Sequence, residues 1–156
     1  DIAYIVRNKR YMSLYIRKDK FKKRRASRDI PVFKVLREGN VSPIFKFHYT
    51  PGWMDYKIKL GIHETWGGEI VVDSGFHSYS PEQVMYRREN DNILIESIHV
   101  GDKGQIFFET IGQYWDQLGG KILVGYGYIP KGSTYVTNDH GHMVSTRIVL
   151  VRIVQV

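Results

Sequence analysis

The chain has 156 residues, enough for one domain with a real core and too few for two ordinary domains. Its 42% apolar and 25% charged residues form a soluble, globular composition. No run reaches the roughly 20 apolar residues of a membrane helix, and the absence of cysteine excludes disulfides, thiol nucleophiles and cysteine-held zinc or iron–sulfur centres. The net charge is +7 and unevenly placed. Residues 1–38 carry thirteen Lys and Arg against four Asp and Glu, while the rest of the chain is slightly acidic.

The excess sits in one stretch, RKDKFKKRRASR, in which eight of twelve residues are basic and Asp19 is the only acid. Such a crowd of like charges cannot be buried together, so it forms a solvated surface. It can attract a polyanion by releasing counterions. Arg17, Lys20, Lys22, Lys23, Arg24, Arg25 and Arg28 are the candidate anion-binding residues, with Phe21 the one interleaved aromatic available to stack on a base. The charge contrast divides the chain into a basic N-terminal arm or hairpin over residues 1–29 and a β-rich domain over 30–156.

Along that domain, high Tyr, Val and Ile with frequent Gly point to strands and turns. IPVFKVL (Ile30–Leu36) reads as a short strand. IFKFHY (Ile44–Tyr49) and YKIKL (Tyr56–Leu60) alternate, the latter with Lys57 and Lys59 on the wet face. EIVV (Glu69–Val72) is a further strand. SPEQVMYRREN predicts a short helix: Ser80 fits the N-cap, Pro81 the first helical position and Gln83 a capping box. ILIESIHV (Ile93–Val100) is a strand, and Gly101-Asp102-Lys103-Gly104 a turn into a returning QIFFETI. KILVGYGYI (Lys121–Ile129) reads as a buried strand whose Gly125 and Gly127 allow close backbone approach or a bulge. Thr134–Thr137 and the long closing strand from Met143 to Val156 flank the turn-like Asn138-Asp139-His140-Gly141. The fold class is therefore mainly β (α+β): a compact antiparallel single domain with one or two short helices.

No phosphate loop, dinucleotide fingerprint or nucleophile elbow occurs. No catalytic residue and no cofactor is assigned. The His-x-His of Asp139-His140-Gly141-His142 lacks a third ligand and suits an exposed turn better than a metal site, so no metal is assigned either. The turn Gly75-Phe76-His77-Ser78-Tyr79-Ser80, leading into the expected helix, would aim backbone N–H groups and a helix dipole at an anion. Capping and turn hydrogen bonds account for the same residue types. With Arg37, the residues His77, Ser78, Tyr79 and Ser80 make a candidate ligand pocket.

Val32-Phe33-Lys34-Val35-Leu36, Ser42-Pro43, Gly75-Phe76-His77-Ser78-Tyr79, Ile129-Pro130-Lys131-Gly132-Ser133 with Tyr135, and Val144-Ser145 together resemble small uncharacterised proteins of bacteriophages and gut bacteria. That resemblance covers Pro31 to Val149 and implies a phage or prophage context, in host-cell cytoplasm or virion. A second resemblance is to the ADP-ribosyltransferase fold. Arg37-Glu38-Gly39 stands for its Arg element and Ser78-Tyr79-Ser80 for its Ser-Thr-Ser, but Lys121–Tyr128 has no Glu at the catalytic place. It implies a related β scaffold and nucleotide binding, without transfer chemistry.

Three functions compete. The first is a non-enzymatic binding protein engaging an anionic macromolecule, nucleic acid or an acidic protein surface, with no membrane partner. The second is a nucleotide-binding or ADP-ribosyltransferase-like protein that uses Arg37 and Ser78–Ser80. The third is a virion or assembly component that pairs with copies of itself.

Overall fold

The structure, a computed structural model, describes residues 14–37, 54–99, 101, 122–138 and 141–155. Its strands in chain order are β1 (Leu14–Arg17), β2 (Arg24–Arg25), β3 (Ile30–Arg37), β4 (Met54–Lys57), β5 (Gly61–Glu64), β6 (Glu69–Ser74), β7 (Phe76–Tyr79), β8 (Gln83–Glu89), β9 (Asn92–His99), β10 (Ile122–Ile129), β11 (Thr134–Thr137), β12 (His142–Ser145) and β13 (Arg147–Gln155). All pairings are antiparallel. They build a three-stranded sheet β1-β6-β5, a large sheet β2-β11-β12-β7-β3-β10-β13-β4 and the hairpin β8-β9.

The mainly β, antiparallel architecture expected from the composition is what the chain adopts. The predicted strands at 30–36, 69–72, 93–100, 121–129 and 134–137 coincide with β3, β6, β9, β10 and β11 within a residue or two at most ends. The expectations for 44–49 and for 102–111 lie outside the described residues.

The closing strand is two strands. β12 and β13 are separated by Thr146, whose N–H donates to the Thr134 carbonyl (3.0 Å) and whose carbonyl accepts from Ile58 (2.8 Å). β12 pairs with β7 and β11, while β13 pairs with β10 and β4. Because β3 pairs with both β7 and β10, the ladder from β12 through β7, β3 and β10 returns to its own chain at β13. The ring wraps a core of Val32, Leu36, Phe76, Ile129, Met143, Ile148 and Leu150. The sheet itself keeps two edges, β2 and β4. Gly127 lies at the register shift of β10, where a Cβ would run into the Val149 carbonyl. The close backbone approach read from that glycine is present.

The smaller sheet covers the outer side of β11 and β12. Leu14, Ile16, Ile70 and Val72 pack on Val136 and Val144, with Phe21, Leu60 and Ile62 at the margin. Tyr126 of β10 reaches the β8-β9 hairpin through a 3.0 Å hydrogen bond to the Glu96 carbonyl.

The helix expected over 80–90 is not formed; β8 occupies it. Val84 and Tyr86 are strand formers. Asn90 and Asp91 adopt φ of 48° and 65°, a two-residue hairpin turn with both residues left-handed, which Asn and Asp tolerate. Ser80, the supposed cap, instead donates its N–H to the Gly141 carbonyl (2.9 Å) as an extension of β7–β12 pairing.

Candidate functional site

Two groups of side chains stand out, one on the surface and one buried. The surface group begins where β1 ends. Arg17 closes a turn by accepting the Lys20 N–H (2.9 Å). The chain then crosses from the smaller sheet to the edge of the large one. Two apolar residues pin that crossing. Phe21 is half-buried against the inter-sheet core, and Ala26 is buried in the ring core. Between them Arg24 and Arg25 form β2, paired with Tyr135 and Thr134 of β11. Ala26 donates its N–H to Ser133 (2.9 Å) and accepts from Gly132 (2.8 Å).

Phe21 is therefore a half-buried anchor beneath the cations. Its burial holds the basic residues outward: Arg17, Lys18, Lys20, Lys22, Lys23, Arg24, Arg25 and Arg28 are all exposed. Arg17 pairs with Asp19 (3.0 Å) and Lys18 with Glu64 (3.1 Å). Among the described residues Lys22, Lys23, Arg24, Arg25 and Arg28 have no acidic partner. Asp29, next in sequence, uses its carboxylate to accept the Lys131 backbone N–H (2.8 Å). That bond brings Lys131, also exposed, to the same surface, although it lies far away in sequence.

Backbone hydrogen bonds link β2 to a second basic patch. Thr134, the partner of Arg25, accepts from Thr146, which in turn accepts from Ile58. There a shallow open groove of about 370 Å³ is lined by Lys57, Ile58, Lys59, Thr146 and Arg147. At about 4.8 Å per strand, Arg25 and this groove are roughly 15 Å apart.

The buried group contains part of the predicted pocket. Lys34 lies on the face of β3 that carries Val32 and Leu36, and its Nζ donates to the His77 carbonyl (2.6 Å). Burial lowers its pKa to about 7. His77 contacts His142 through Nδ1 and Nε2 (3.0 Å) and the Asp73 carbonyl through its own Nε2 (2.9 Å). A carbonyl only accepts, so His77 is protonated at Nε2 and its Nδ1 must accept from His142 Nε2–H. Desolvation, with the nearby Lys34 charge, lowers His77 to about 4. Burial holds His142 well below the usual imidazole range, aided by His77 and Lys34. Tyr79 stacks on His142 (4.8 Å between centroids) and on Phe33 (5.7 Å), and burial raises its hydroxyl pKa.

These residues do not assemble the pocket expected of them. His77 and Tyr79 alternate with Ser78 along β7, so Ser78 turns to the opposite face, fully buried, with no hydrogen-bond partner for its Oγ. Ser80 is exposed and donates to Met143 Sδ (3.4 Å). Arg37 ends β3 four residues from Phe33, the partner of Tyr79, or about 13 Å along the strand. The helix dipole that was to bind an anion is absent with the helix. His142, expected in an exposed turn, is buried and committed to His77. Among the described residues no three His, Asp or Glu side chains group as metal ligands, and no helix is long and apolar enough to cross a membrane.

No family model matches the chain, and no curated protein or solved structure matches it significantly.

Proposed function

We propose that this protein is a non-enzymatic binder of a polyanion, nucleic acid being the partner that suits it best, acting through the basic surface of residues 17–28. One observation carries the reading: Lys22, Lys23, Arg24, Arg25 and Arg28 stand exposed without acidic partners among the described residues. A fold that needed only solubility would gain as much from interspersed charges of both signs. Here Phe21 and Ala26 fix the backbone beneath the cations, which lowers the ordering cost of binding. Lys131 and the Lys57–Lys59–Arg147 groove extend the surface along a path that a phosphate backbone could follow.

The nucleotide and transferase alternative loses support from the geometry, since Ser78 is buried on the face opposite His77 and Tyr79 while Ser80 is exposed. The resemblance to phage and gut-bacterial proteins supports a phage or prophage origin, with action in the host cytoplasm or in the virion.

The test is a gel-shift titration with DNA and RNA, run beside an acidic protein as competitor. Reversing four charges (Lys22→Glu, Lys23→Glu, Arg24→Glu, Arg25→Glu) should abolish the shift. Undiminished binding by that variant would remove the proposal.

A further inference from the structure

The β5–β6 hairpin ends in Thr65-Trp66-Gly67-Gly68, and its geometry is closed. Thr65 donates its N–H to the Glu69 carbonyl (2.8 Å), Gly68 donates to the Thr65 carbonyl (3.1 Å), and Glu69 donates to Thr65 Oγ1 (3.2 Å). Gly68 supplies the left-handed residue (φ 78°) that such a turn needs. On this braced tip Trp66 has a relative exposure of 108%, so nothing among the described residues covers it. A large apolar ring held in water on a pre-ordered turn costs solubility and gives the fold no packing in return.

Its position gives it a use. β1 runs antiparallel to β6, with Arg17 opposite Glu69, so the end of β1 and the tip of the β5–β6 hairpin project from the same end of the small sheet. Lys18 of the basic segment is bonded to Glu64, two residues before Trp66 (3.1 Å). The exposed ring thus borders the cationic surface and offers a full face, which the half-buried Phe21 does not. A ring beside a row of cations matches one ligand chemistry closely: a phosphate backbone whose bases are unpaired and free to stack.

We infer that Trp66 is the base-stacking residue of this surface and that the partner is single-stranded nucleic acid. The inference rests on the polyanion reading and sharpens it. In a duplex the bases are already stacked on each other and offer the ring no face.

The experiment uses the full chain and a fluorescently labelled oligothymidine. A duplex of equal length and anionic phosphatidylserine vesicles are the comparison ligands. Trp66→Ala should weaken oligothymidine binding about tenfold, while leaving duplex binding and the salt dependence of both unchanged. Trp66→Phe should restore most of the loss. Thermal melting identical to the wild type confirms that the exposed substitution has not touched the fold. Equal oligothymidine affinity for wild type and Trp66→Ala overturns the stacking role while leaving the polyanion reading intact. If the wild type binds neither nucleic acid, the polyanion reading fails and this inference with it. Vesicle binding that depends on Trp66, without oligothymidine binding, assigns the ring to a lipid surface and overturns the inference.

Discussion

The buried Lys34 gives the sharpest quantitative prediction. It titrates near 7 in the fold against 10.5 in an exposed chain. A folded value below the unfolded one means that the unfolded chain holds more protons across that window. Stability therefore rises with pH from about 7 to 10.5 and is lost as pH falls through it. At about 1.4 kcal/mol per pH unit, burying this amine costs about 4 kcal/mol at pH 7 and about 1 kcal/mol at pH 10. Lys34→Met keeps an unbranched side chain, one atom shorter, and removes the charge. It also leaves the His77 carbonyl without its donor, a loss of about 1–3 kcal/mol. The variant should therefore be more stable than the wild type by about 1–3 kcal/mol at pH 7, and that advantage should vanish or reverse by pH 10. Urea unfolding of both chains at the two pH values measures it, because groups not coupled to Lys34 cancel in the difference and the coupled His77 and His142 titrate below this window. A difference that stays flat between pH 7 and pH 10 refutes the burial of a neutral amine at this place.

The histidine pair should make the fold sensitive to acid. His77 titrates near 4 in the fold and 6.5 outside it, so stability present above 6.5 is lost as pH falls towards 4, by about 3 kcal/mol for this residue. His77→Gln keeps a donor for the Asp73 carbonyl and gains no proton, so its urea midpoint should change less over that interval; equal acid sensitivity counts against the burial of a neutral His77. The hairpin turn at 90–91 gives a further test. Asp91→Gly, placed at φ 65°, should raise stability by about 0.5–1 kcal/mol by relieving the left-handed conformation, and a lowered melting temperature counts against that turn.

Much of this architecture is legible in the sequence because strand alternation and glycine placement are local signals. EIVV, ILIESIHV and KILVGYGYI each carry their own evidence, and Gly127 marks the bulge that it makes. The failures are places where a local signal has two meanings. Ser80-Pro81-Glu82-Gln83 fits a helix cap equally well as the entry to β8, and Asn90-Asp91 lacks the glycine that would announce a hairpin. The bend at Thr146 is set by its bonds to Thr134 and Ile58, partners distant in sequence or fixed only by folding. For the same reason Lys34 reads as an ordinary strand lysine and His142 as a turn residue, since only the closing of the ring buries them. The basic surface was plain in composition. Its extension by Lys131 and its companion Trp66 were not, because both reach it through tertiary contacts.

The central claim is that the cations of residues 17–28 meet phosphates, and salt titration reads that contact most directly. Each phosphate neutralised on a single strand contributes about 0.7 to the slope of log K against log salt. Wild-type binding to oligothymidine should weaken steeply as salt rises. Replacing Lys22, Lys23, Arg24 and Arg25 with Ala should flatten that slope by about 3. An unchanged slope in the four-Ala variant, whatever its affinity, would show that these side chains do not touch the partner and would contradict the account.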